Sequence, residues 1–107
     1  MSEPYRSRLA NEEIDSLFEA ILKLENTEEC YRFFEDLCTI PELKSIAQRW
    51  MVARMLDTGA TYSDISKDLS ASTATISRVN RSLSYGAGGY RLMLDRTEPL
   101  PEPQKKD

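Results

Sequence analysis

The sequence predicts an all-α protein of five or six helices, and three observations carry that expectation. Apolar residues recur at spacings of three and four, the period of a helix that buries one face. Asn, Thr and Ser stand just ahead of these stretches, where a helix start needs a side-chain cap. No segment alternates apolar and polar residues as a half-buried strand would.

Each element can be justified in turn. Asn11 caps a first helix; Glu12, Glu13 and Asp15 favour its positive end, and Ile14, Leu17, Phe18 and Ile21 repeat at helical spacing. Thr27, Glu28 and Glu29 start a second helix carrying Cys30, Phe33, Phe34 and Leu37. Thr39-Ile40-Pro41-Glu42 reads as a capping box with proline in the first turn, opening a third helix that runs to about Asp57. Leu43, Ile46, Ala47, Trp50 and Met51 put apolar residues on more than one side of it, so it is expected to be the central, most buried helix. Gly59 stops it. Thr61-Tyr62-Ser63-Asp64 opens a short fourth helix ending near Leu69; Ser70-Ala71 is a tight connection, and Ser72 caps a fifth helix over 73–83. Gly86-Ala87-Gly88-Gly89 breaks any helix, leaving Tyr90–Arg96 for a short sixth. Pro99, Pro101 and Pro103 among charged residues mark 97–107 as a disordered tail, so 1–96 is expected to be one helical domain.

Composition narrows the function classes. At 107 residues, 40% hydrophobic and 30% charged, the chain suits one small domain with a modest core. No stretch approaches the roughly 20 apolar residues of a membrane span, and the N-terminus lacks the apolar run of a secretory signal. Cys30 and Cys38 stand eight apart in one helical stretch, about 12 Å and too far for a disulfide. With no histidine in the chain, no metal site is expected, and the cysteines read as reduced, in the cytoplasm. Net charge is −4, but residues 1–43 carry −7, residues 44–96 carry +4 and the tail −1. A local basic region matters more for nucleic acid than the overall sign.

The basic region coincides with a helix-turn-helix signal at about residues 62–83. Such a motif locks two short helices at a steep angle, with the second free to enter the major groove. Counted from Tyr62, its buried places are the fourth, eighth, tenth, fifteenth and eighteenth, which here hold Ile65, Leu69, Ala71, Ile76 and Val79. Ser66 supplies the small residue needed where the helices touch, while Ser70 departs from the glycine usual in the turn. Once Ile76, Val79 and Leu83 are buried, Ser72, Thr73, Thr75, Ser77, Arg78 and Arg81 remain on the outer face. No acidic residue occurs from Ser70 to Met93. Short hydroxyls allow close approach to phosphates and base edges, directly or through water, and the free N–H groups of the helix start favour a phosphate. Lys67, on the preceding helix, is placed to touch the DNA backbone. The plainer reading of these residues is a capped polar surface helix.

Other clusters read as structural. Trp50, Met51 and Met55 belong to the core, as do Cys30 and Cys38, and carboxylates at a helix start complement its dipole. Nothing supports catalysis: there is no histidine, no activated nucleophile and no phosphate-binding loop. No cofactor is expected.

The stretch Leu37–Arg96 resembles the Trp repressor family and, more closely, a group of bacterial Trp repressor-like proteins. The residues that carry the resemblance are Ala74-Thr75-Ile76-Ser77-Arg78, then Asn80 and Ser82-Leu83, with Thr39 ten residues before Arg49. The ending Leu83-Ser84-Tyr85-Gly86-Ala87-Gly88-Gly89-Tyr90 is similar to the group rather than to the Trp repressor itself. The resemblance implies an interlocked homodimer whose two reading helices meet successive major grooves of double-stranded DNA. It also implies a small effector between the third and fifth helices. Arg49 and Arg78 match the two arginines that flank a bound tryptophan, and Thr39 and Ser82 match other pocket-lining places. A glycine follows the second arginine in the Trp repressor; here Val79 occupies the room that glycine leaves, so tryptophan is not expected as the effector. The expectation is a cytoplasmic transcriptional regulator, a repressor, acting as a homodimer on a two-fold symmetric site. The rival is a helical protein-interaction module that keeps the motif as scaffold.

Overall fold

The computed structural model describes residues 5–101, and these form six helices. The chain divides between Thr39 and Ile40 into two compact units.

The first unit holds α1 (Glu12–Ile21) and α2 (Thr27–Leu37). Asn11 caps α1 as expected, its side-chain oxygen accepting from the Ile14 N–H at 2.8 Å. α2 starts at Thr27 as expected, and its cap is Asn26, which accepts from the Glu29 N–H at 2.9 Å. Glu29 reaches back to accept from the Glu25 N–H at 2.9 Å. Phe33 and Phe34 meet edge to face, with ring centroids 5.7 Å apart. No residue of either helix is buried. Cys30 lies on α2 and Cys38 is its C-terminal cap; both are half-buried and unbridged.

The second unit holds α3 (Ile40–Asp57), α4 (Tyr62–Leu69), α5 (Thr73–Tyr85) and α6 (Gly89–Arg96). α3 packs against each of the other three, and α5 packs also against α4 and α6, so α3 is central to this unit as its all-round apolar pattern requires. The core is formed by Val52, Ala53, Ala60, Ile65, Ala71, Ile76 and Val79. Trp50, Met55, Leu56, Leu69 and Tyr90 lie half-buried against it. α3 ends in a paired turn: the Gly59 N–H donates to the Leu56 carbonyl at 3.0 Å and the Ala60 N–H to the Met55 carbonyl at 3.2 Å. Gly59 stands at φ 87°, the left-handed conformation this ending needs. α4 opens with a reciprocal capping box between Thr61 and Asp64.

α5 runs to Tyr85, two residues past the expected end. It stops at Gly86, where the backbone turns extended at ψ −156° while the N–H still bonds the Ser82 carbonyl at 2.8 Å, and where a Cβ would collide with that oxygen. The glycine run interrupts the helix for a shorter distance than its composition suggested. Gly88, at φ 84°, caps α6, and Gly89 is already helical. After α6 the Arg54 guanidinium donates to the Glu98 carbonyl at 2.8 Å, holding the following segment to α3. Residues 97–101 carry no helix; the rest of the expected tail, 102–107, lies outside the described residues. Among the described residues, no helix is long and apolar enough to cross a membrane.

Candidate nucleic-acid interface and effector cleft

The α4–α5 pair is fixed from three directions. Of the five apolar places expected to be buried, Ile65, Ala71, Ile76 and Val79 are buried, and Leu69 lies half-buried against the same core. The Asn80 side-chain amide donates to the Tyr62 hydroxyl at 3.0 Å, joining the middle of α5 to the start of α4. At the other end of α4, the Gln48 amide donates to the Leu69 carbonyl at 3.1 Å, satisfying a helix-terminal acceptor from α3. Between the helices Ser70 stands at φ 54° and ψ 32°. The turn therefore keeps the left-handed backbone for which glycine is suited, and a serine bears it.

α5 presents the face expected from its pattern, with one refinement. Ser72, Thr73, Ser77, Arg78 and Arg81 are exposed, whereas Thr75 is half-buried. Ser72 accepts from the Thr75 N–H at 3.1 Å as the helix cap and donates its own hydroxyl proton to Thr75 Oγ1 at 3.0 Å. Thr75 is thus oriented by the cap instead of standing free. Lys67 is exposed on α4. Among the described residues Lys67, Arg78 and Arg81 enter no ion pair, and the first turn of α5 holds no acid. Arg91 differs: it bonds Asp57 at 2.9 Å and Asp95 at 2.9 Å, and these two hydrogen bonds, Asp57's first, hold its guanidinium pKa above the ordinary value. The cations of α4 and α5 stand outside ion pairs among the described residues, and Arg91 of α6 is spent within the fold.

Arg49, Arg78 and Ser82, three of the four effector candidates, line one open cleft of about 380 Å³ among α3, α5 and α6. Trp50, Val79 and Tyr90 supply much of its apolar lining, and no carboxylate lines it. Val79, 1% exposed, belongs to the core at the same time, as its branched side chain implied. The fourth candidate, Thr39, ends the first unit and is exposed. Gln48 and Tyr90 are not among the site residues that the sequence pattern pointed to. A polar residue on a helix as apolar as α3 was the available signal for Gln48, and an aromatic directly after the glycine run was the signal for Tyr90. Among the described residues, no group of three or more His, Cys, Asp or Glu is placed to hold a metal ion.

Comparison with known proteins gives a consistent picture. The model of the family described as Trp repressor protein matches residues 12–98. The chain is 56% identical over 91 residues to the uncharacterised protein YerC of Bacillus subtilis (strain 168), covering 85% of this chain and 88% of that one. A crystal structure of a candidate Trp repressor from Staphylococcus aureus superposes with a TM-score of 0.80 at 54% identity, over 83% of this chain and 89% of that one. A crystal structure of a TrpR-like protein from Eubacterium eligens gives 0.80 at 52% identity, over 83% and 92%.

Proposed function

This chain belongs to the Trp repressor family of helical DNA-binding regulators, and from that premise we propose that it is a transcriptional repressor that binds double-stranded DNA as a homodimer. The observation that carries the proposal is the outer face of α5. It combines exposed hydroxyls and arginines that enter no ion pair among the described residues with no acidic residue, on a helix packed against α3 and bonded to α4. Ser72, Thr73, Thr75 and Ser77 meet the groove, while Lys67 and Arg81 meet phosphates and Arg78 serves either phosphate or effector. The first unit supports the homodimer. α1 and α2 bury no residue, while Phe18, Leu22 and Leu37 stand 56%, 84% and 47% exposed. Apolar area of that kind marks an interface, and a second copy of the chain covers it.

An effector, where one acts, sits in the cleft with Arg49, Arg78 and Ser82. Val79 in the cleft lining disfavours an indole. No catalytic role and no cofactor are assigned, and the compartment is the cytoplasm. Selection from a random duplex pool tests the reading. A dimer with two reading helices should enrich a two-fold symmetric site with half-sites about one helical turn, or a multiple of it, apart. Absence of any enriched sequence would leave the interaction-module reading in its place.

A further inference from the structure

The reading helix can present its outer face to a groove at only one rotation about its own axis, so whatever fixes its apolar side also fixes recognition. Two of its three supports, α3 and α4, are evident from the motif. The third is α6. An eight-residue helix has little stability of its own, and the connection Gly86–Gly88 cannot set its direction: Gly88 is left-handed, and Gly86, Ala87 and Gly88 are all exposed. The placement of α6 therefore depends on its anchors. Tyr90, its second residue, packs against the core that contains Ile76 and Val79 of α5, and Leu94 is buried. Arg91 bonds Asp57, the last residue of α3, and braces itself on Asp95 one turn along α6. Arg54 of α3 holds the Glu98 carbonyl just beyond the helix. Tyr90 and Arg91 are adjacent and do complementary things: the ring packs α6 against the core to which α5 contributes Ile76 and Val79, and the guanidinium ties α6 to α3.

We propose that α6 is a strut for the reading helix, and that Tyr90 and Arg91 are positioning residues for sequence recognition that act through α5 without meeting DNA. The inference rests on the DNA-binding reading above and adds to it residues outside the helix-turn-helix.

The test uses the full chain: unaltered protein, Arg91→Ala, Tyr90→Ala, and Arg91→Asp combined with Asp57→Arg. Each is titrated by fluorescence anisotropy against the duplex that the unaltered protein selects from a random pool and against a random duplex, over a range of salt. Removing a strut lets α5 lose its angle. Affinity for the selected duplex should then fall by about five- to tenfold, while affinity for random duplex and its salt slope stay as they were. The charge exchange should restore part of the loss. Arg91 is exposed, so Arg91→Ala folds, and circular dichroism confirms this before titration. Equal loss on both duplexes with a flatter salt slope would make Arg91 a phosphate contact and overturn the strut. Equal loss with an unchanged slope would mean only a smaller active fraction and overturns it too, as does no loss on either. If the unaltered protein binds neither duplex, the DNA-binding reading itself fails, and the strut falls with it.

Discussion

Ser70 carries a backbone conformation that its own side chain opposes, and replacing it with glycine should stabilise the protein. At φ 54° and ψ 32° the Cβ of an L residue crowds the following carbonyl oxygen, which costs about 1–2 kcal/mol. The side chain returns little: Ser70 is exposed, and among the described residues its hydroxyl has no hydrogen-bond partner. Glycine removes the crowding but gives the unfolded chain more freedom, worth about 0.5–1 kcal/mol in the opposite direction. The difference is a gain of about 0.5–1 kcal/mol, or roughly 2–8 °C in Tm for a domain of this size. Ser70→Val should do the reverse and cost more than Ser70→Gly gains, since branching at Cβ worsens the same contact. The assay is thermal and urea unfolding followed by circular dichroism, at one protein concentration because the proposed dimer would make Tm concentration-dependent. Because glycine leaves the turn geometry as it is, DNA affinity should not change. A Ser70→Gly protein no more stable than the original, or a harmless Ser70→Val, would refute the claim that this turn stores strain.

Substitutions on the reading face should separate into two classes. Arg81→Ala and Lys67→Ala should weaken binding to all duplexes alike and flatten the salt slope by about two units each, one per copy, whereas Ser77→Ala and Thr75→Ala should shift sequence preference by roughly 1–3 kcal/mol per base pair where a contact is lost. Val79→Gly should deepen the cleft at a cost of about 2–4 kcal/mol in stability; calorimetry should detect tryptophan binding to that variant alone, and micromolar binding to the unaltered protein would contradict the reading of Val79. Light scattering at micromolar concentration should return twice the 12.2 kDa of one chain, and a mass of one chain would remove the dimer.

Helix positions were legible in the sequence wherever a local rule sets them. Asn11, Thr61 and Ser72 cap the helices they were expected to cap, and Gly59 ends α3, because caps and left-handed turns are decided by a few neighbouring residues. Boundaries slipped where the decision is not local. α5 extends to Tyr85 because the backbone turns out of the helix only at Gly86, and α6, which takes in Gly89, is held by Tyr90 against the core and by the buried Leu94. The apolar pattern from Ile65 to Val79 was readable as a helix-turn-helix, since its spacing reports one buried face. The bonds that pin it were not. Gln48 to Leu69 spans 21 positions and Asn80 to Tyr62 spans 18, and nothing in either local sequence marks its partner. Thr75 was read as a free groove-facing hydroxyl. Its engagement by Ser72 is a cap geometry that sequence permits but does not require.

The salt dependence of binding to a random duplex tests the central claim most directly. Lys67, Arg78 and Arg81, taken over two copies, offer about six phosphate contacts, and each contact releases counterions when it forms. The logarithm of affinity should therefore fall with the logarithm of salt at a slope of about −5 between 50 and 200 mM. An anisotropy titration of labelled random duplex against the full chain measures this without knowledge of the target sequence. A steep fall, shallower by about two units for each cation changed to alanine because the change removes one contact from each copy, is the expected result. No binding at the lowest salt, or binding indifferent to salt, would contradict it and assign the outer face of α5 to a protein partner instead.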